Sequence, residues 1–189
     1  MASRAGGNMT AAVALLSKQR RGPKISFQLL FYPVTDANFE TGSYTQFQNG
    51  PWLTKSAMEW FWNAYLPDRA ARKEIIAAPL SAKPNQLEGF PDALVTTAEN
   101  DVLRDEDEAY ARKLWEAGVR VTCTRYIGTI HDFVMLNAIR RRTAGARCYC
   151  SSQRYADILR SMSARGSNGL PQQLGGGSLA FWALQFGAR

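Results

Sequence analysis

The chain has 189 residues, 46% of them apolar and 21% charged, which excludes a disordered or fibrous protein and fits a globular one. Its formal net charge is +7, but the charge is not spread evenly. Residues 1–137 carry 15 basic and 15 acidic side chains, whereas residues 138–189 carry eight Arg, no Lys and one acid, Asp157. The first part is expected to be a neutral folded domain and the second an Arg-, Gly- and Ser-rich atypical tail without order of its own. That tail has the composition of a GC-rich gene translated out of frame.

Met9 to Arg20 is rich in Ala, Leu and Met and turns basic at its end, which predicts a buried helix stopped by Gly22-Pro23. Ile25 to Tyr32 is a short apolar run bounded by prolines, and reads as a buried strand. Thr35 to Gly50 reads as a polar loop. Thr54 is placed to cap a helix over 55–66, and a second helical patch is expected over 68–77. Ala93 to Thr97 is another strand. Asp105 to Ala117 is an amphipathic helix with Gly118 as its stop. Its acidic run, Asp105 to Glu108, is expected to complement the helix dipole. Val119 to Tyr126 alternates as a third strand, with Cys123 expected as a small buried apolar group, and Gly128-Thr129 as a turn. Strands alternating with helices argue for an α/β fold with a parallel, covered sheet.

Three cysteines (Cys123, Cys148 and Cys150) and one histidine offer no metal-ligand spacing and no disulfide framework. No apolar run is long enough to cross a membrane, and no signal peptide is recognisable, so the expected setting is the cytoplasm. No cofactor is implied. The aromatic side chains Trp52, Trp60, Phe61 and Trp62 are divided between lining a ligand pocket and plain packing.

The chemistry concentrates in three places. Asp101 follows one strand and His131, the sole histidine, follows the next. Residues just past the carboxyl ends of parallel strands converge on one crevice. A carboxylate that accepts from histidine Nδ1–H fixes the tautomer, and the ring then serves as general base for a nucleophile. Asp101 is also placed to cap the helix beginning near Leu103. The third place is Ala5-Gly6-Gly7-Asn8, opening a helix at the start of the chain.

These pieces resemble one family. AGGNMTAAVALL (5–16), LLFYPVTD (29–36), ALVTTAENDVLRDEDEAYARKLWEAG (93–118) and YIGTIHDF (126–133) are similar to the C-terminal part of the α/β-hydrolase domain of hormone-sensitive-lipase-like bacterial esterases and lipases. The resemblance implies a truncated α/β-hydrolase over residues 1–137, with a partial helical cap at about 50–80. It implies hydrolysis of small acyl esters through a Ser-His-Asp acyl-enzyme, with Asp101 as triad acid and His131 as triad base. The family more often has His-Gly-Phe where this chain has His131-Asp132-Phe133. The family nucleophile lies in Gly-Asp-Ser-Ala-Gly-Gly-Asn, and alignment puts Arg4 on the nucleophile and Ser3 one place early. The strand before the elbow and the His-Gly-Gly-Gly oxyanion loop are expected to be absent, and the arginine-rich tail replaces the family's last helix. The chain is therefore expected to be a fragment of an esterase that lacks its nucleophile. The competing readings are a non-catalytic pseudoenzyme and a basic-tail binding protein. The expected partner is a small acyl ester rather than nucleic acid.

Overall fold

Apolar runs between chain breakers form the strands of one parallel sheet, in the order β1-β2-β3-β4. These are β1 (Ala2–Ser3), β2 (Phe27–Pro33), β3 (Asp92–Asn100) and β4 (Val121–Ile130). The computed structural model describes residues 2–136; the expectations for the tail at 138–189, Cys148 and Cys150 included, lie outside the described residues. Leu30 pairs with Val95, and Val95 with Cys123, so the register runs straight across the sheet.

Helix α1 (Arg4–Gln19) leaves β1 without an intervening loop. It begins five residues earlier than its apolar pattern suggests, because the small residues Ala5-Gly6-Gly7-Asn8 form its first turn. Its buried Ala11, Ala14 and Leu15 share one apolar cluster with Leu30 and Val95 and with Tyr110 and Leu114 of α5 (Arg104–Glu116). Burying a leucine such as Leu15 or Leu114 contributes about 2 kcal/mol. Gly118 ends α5 at φ +79°. Its N–H donates to Trp115 O at 2.9 Å, and Val119 N–H donates to Leu114 O at 3.0 Å. This is a Schellman stop sealed by the Val119–Leu114 contact.

Between β2 and β3 lies the cap-like insert. Thr54 caps α3 (Lys55–Tyr65) by accepting from Ala57 N–H at 3.1 Å. Met58 and Trp62 of α3 pack with Val34, Tyr44, Ala77, Val102 and Leu103. The insert is thereby anchored to the carboxyl ends of β2 and β3. The four-residue α4 (Pro84–Leu87) leads into β3.

Several elements depart from the sequence expectations. A two-residue strand does precede α1, pairing with Leu30 and Phe31. The loop at 35–50 contains a short helix, α2 (Gly42–Gln46), capped by Thr41 and tied to α5 through Ser43 N–H and Asp105 Oδ2 at 2.7 Å. The patch at 68–77 forms only a single 3-10 turn at Ala71–Lys73. There Arg72 turns inward to Leu66 O and Asn63 Oδ1, and no helical ladder develops. Gly128, at φ +72°, lies within β4 rather than ending it. Cys123 is exposed, not buried, on a strand that pairs on one side only among the described residues.

Candidate active site

The carboxyl ends of the strands bring together residues far apart in sequence. Asp101 directly follows β3. Its main-chain oxygen accepts from Arg104 N–H at 3.3 Å, and its Oδ1 accepts from Leu103 N–H at 3.0 Å. The carboxylate is thereby fixed by the turn that leads into α5, whose N-cap is Leu103. Its other oxygen, Oδ2, lies 2.7 Å from His131 Nδ1. Both side chains are fully enclosed, Asp101 at 1% exposure and His131 at 0%. The short contact to a carboxylate assigns the ring proton to Nδ1 and leaves Nε2 with its lone pair. Among the described residues, Nε2 has no hydrogen-bond partner. The sequence-predicted pair is thus joined, whereas the N-cap of α5 is Leu103 and not Asp101, which instead holds the turn before the helix.

The ring of His131 is held by its neighbours. Tyr32 meets it edge-on at 4.8 Å between centroids, and Phe133 meets Tyr32 at 5.6 Å. Asp132 turns the chain at φ +62°, a left-handed conformation that glycine and, less readily, aspartate tolerate. That backbone shape explains why the resembling family more often has glycine after the histidine. The Asp132 carboxylate accepts from Trp52 Nε1 at 3.2 Å, and its Oδ1 lies 3.5 Å from His131 Nε2. Trp52 is otherwise exposed and is not among the residues lining the cavity described below.

The acidic run at the start of α5 is not a uniform solvent face. Glu108 faces outward and forms a two-pronged pair with Arg125 at 2.7 and 2.8 Å. Glu106 and Asp107 point inward and are buried. Glu106 accepts from Thr35 N–H at 2.7 Å and Asp36 N–H at 3.2 Å, clamping the segment after β2 to α5. Burial raises the Glu106 carboxyl well above its ordinary range, despite those two donors. Burial first, then the charges of Asp101 and Glu106, push Asp107 well up too. Sequence reasoning missed these inward roles, because a run of four acids contains no signal for which ones face the core.

The third sequence feature lies at the β1–α1 junction. Arg4 occupies the apex of a tight strand-to-helix turn at φ +39°. Its carbonyl accepts from Val34 N–H at 3.2 Å, and it bridges to Pro33. Asn8, one turn on, donates to Val34 O at 3.0 Å and Ala77 O at 2.7 Å. The geometry is that of a nucleophile elbow with a guanidinium at its tip. Beside it opens a cavity of about 210 Å³, lined by Arg4, Val34, Met58, Phe61, Trp62 and Tyr65 among others. Phe61 and Trp62 thus border a cavity, while Trp60 is exposed. Among the described residues, no group of His, Cys, Asp and Glu is arranged to hold a metal ion.

A family model described as alpha/beta hydrolase fold matches residues 3–135. The vegetative-specific protein H5 of Dictyostelium discoideum is 44% identical over 135 residues, covering 70% of this chain and 40% of that protein. The carboxylic ester hydrolase LipN of Mycobacterium tuberculosis is 39% identical over 138 residues, covering 70% of this chain and 36% of that protein. A thermostable esterase from Pseudomonas putida ECU1011 superposes with a TM-score of 0.70 at 50% identity, over 83% of this chain and 46% of its own. The chain therefore spans less than half the length of each of these relatives.

Proposed function

We infer that this chain, which belongs to the hormone-sensitive-lipase-like esterases of the alpha/beta hydrolase fold, carries the proton-handling part of a carboxylic ester hydrolase. The observation that carries the reading is the buried 2.7 Å contact between Asp101 and His131. In acyl transfer, Nε2 takes the proton of the attacking hydroxyl and returns it to the leaving alcohol. Asp101 holds the ring in the Nδ1–H tautomer and stabilises the imidazolium. The attacking group belongs at the elbow apex, where this chain has Arg4. The N–H of Ala5, the next residue, is the elbow's oxyanion donor. The substrate class is a small acyl ester, and no cofactor enters the chemistry.

With arginine at the apex, hydrolysis is expected near background, since loss of the nucleophile typically removes about 10⁶ in kcat. The variant Arg4→Ser places a hydroxyl on the existing backbone turn. It should hydrolyse p-nitrophenyl acetate faster than the parent, and adding His131→Ala should abolish the gain. A gain that survives loss of His131, or no gain at all, overturns the assignment.

A further inference from the structure

We propose that the cavity beside Arg4 is a binding site for short apolar monocarboxylates, with the Arg4 guanidinium as their counter-ion. This goes beyond ester hydrolysis and needs no turnover. The walls are Val34, Met58, Phe61, Trp62 and Tyr65, and apolar or aromatic surface dominates them. The cavity is smaller than the roughly 300–1,000 Å³ typical of drug-sized ligands, so it suits a short chain. Of the polar side chains that border it, Asn8 already spends its amide N–H groups on Val34 O and Ala77 O.

Arg4 is different. Its guanidinium carbon lies 4.9 Å from the centroid of the Phe61 ring, which supports one face of the planar group. Among the described residues, no carboxylate lies within ion-pair distance of it. A guanidinium stacked on a ring keeps its N–H edge open, and that edge matches a carboxylate with two parallel hydrogen bonds. Charge selects among anions. A monocarboxylate balances the single cation, whereas a phosphate dianion would bring an uncompensated charge against apolar walls. A neutral ester gains only the apolar contacts. Arg4 lines this cavity, and an arginine there favours an acid over its ester.

Isothermal titration of the full chain with hexanoate, methyl hexanoate, acetate and inorganic phosphate tests this. Hexanoate should bind at least about 10-fold tighter than each of the other three. Arg4→Gln, which removes the charge and shortens the side chain, should weaken hexanoate by a similar factor and shift methyl hexanoate far less. Equal binding of hexanoate and methyl hexanoate by the parent chain overturns the proposal even if the variant fails to fold. So does phosphate binding as tightly as hexanoate. Binding is read without catalysis, so failure here leaves the ester-hydrolase reading standing, and the reverse also holds.

Discussion

The Asp101–His131 corner and the Arg4 elbow stand at the same end of one sheet, yet they are held in opposite ways. At the corner the side chains carry the geometry. Both are enclosed, one carboxylate serves Leu103 N–H and the imidazole at once, and neither can be altered without leaving a buried polar group unpaired. At the elbow the backbone carries it. The positive φ of Arg4 is maintained by the bridge to Pro33, the Val34 hydrogen bond and the Asn8 clamp, none of which involves the arginine side chain. A site of the first kind resists substitution. A site of the second kind keeps its shape while its chemistry changes.

The largest expected effect separates the two directly. Asp101→Ala should destabilise the chain by about 2–4 kcal/mol, because it leaves the buried His131 Nδ1–H and the Leu103 N–H without their acceptor. Arg4→Ala removes a half-buried side chain that makes no hydrogen bond among the described residues, and should cost under about 1 kcal/mol. Urea unfolding of both variants measures the contrast. An Arg4→Ala loss as large as that of Asp101→Ala would place the structural weight at the elbow instead.

The corner was legible in the sequence because its two residues follow strands that signal themselves by apolar runs, and parallel topology sends both to one edge. Thr54 and Gly118 were legible for a similar reason, since a cap and a Schellman stop are local chemistry. What was not legible depends on distant partners. Helix α2 is fastened by Ser43 to Asp105, 62 residues away. The span at 68–77 has helix-forming residues, but Arg72 prefers the carbonyl of Leu66 and the amide of Asn63. Cys123 alternates as a buried residue would, but it is exposed, and whether a sheet face is covered is set by elements distant in sequence. The strand β1 is two residues long, too short for any period to register.

A second way to sharpen the contrast uses pH. Asp107, behind the corner, has its native carboxyl raised by burial and by the neighbouring charges of Asp101 and Glu106. An unfolded aspartate titrates near pH 4. Between that value and the higher native one, the folded chain binds more protons than the unfolded chain. Stability contributed by this group is therefore fully present below about pH 4 and declines as pH rises, by up to about 1.4 kcal/mol per pH unit. Asp107→Asn removes the titration. Relative to the parent, the variant should gain stability as pH rises above about 4 in urea unfolding, whatever its offset at pH 4. The slope difference is the readout. Parallel curves would mean that Asp107 is ionised in the native chain and that the corner carries a second charge beside Asp101.

The smallest effect concerns Asp132, where corner and elbow logic meet in one residue. Its backbone, at φ +62°, behaves like the elbow and tolerates replacement, while its carboxylate holds Trp52 Nε1 and lies 3.5 Å from His131 Nε2, as a side-chain contact does at the corner. Asp132→Gly and Asp132→Ala both delete the carboxylate, so their difference isolates the backbone. Glycine reaches the left-handed region without cost, and alanine pays about 1 kcal/mol for it. The glycine variant should therefore be the more stable by about that amount in thermal unfolding. For about 135 ordered residues this corresponds to a few degrees in Tm. Alanine matching glycine would show that the turn after His131 relaxes out of its left-handed conformation once the Trp52 contact is gone. The contact, and not the chain's course from β4, would then be what holds the imidazole in place.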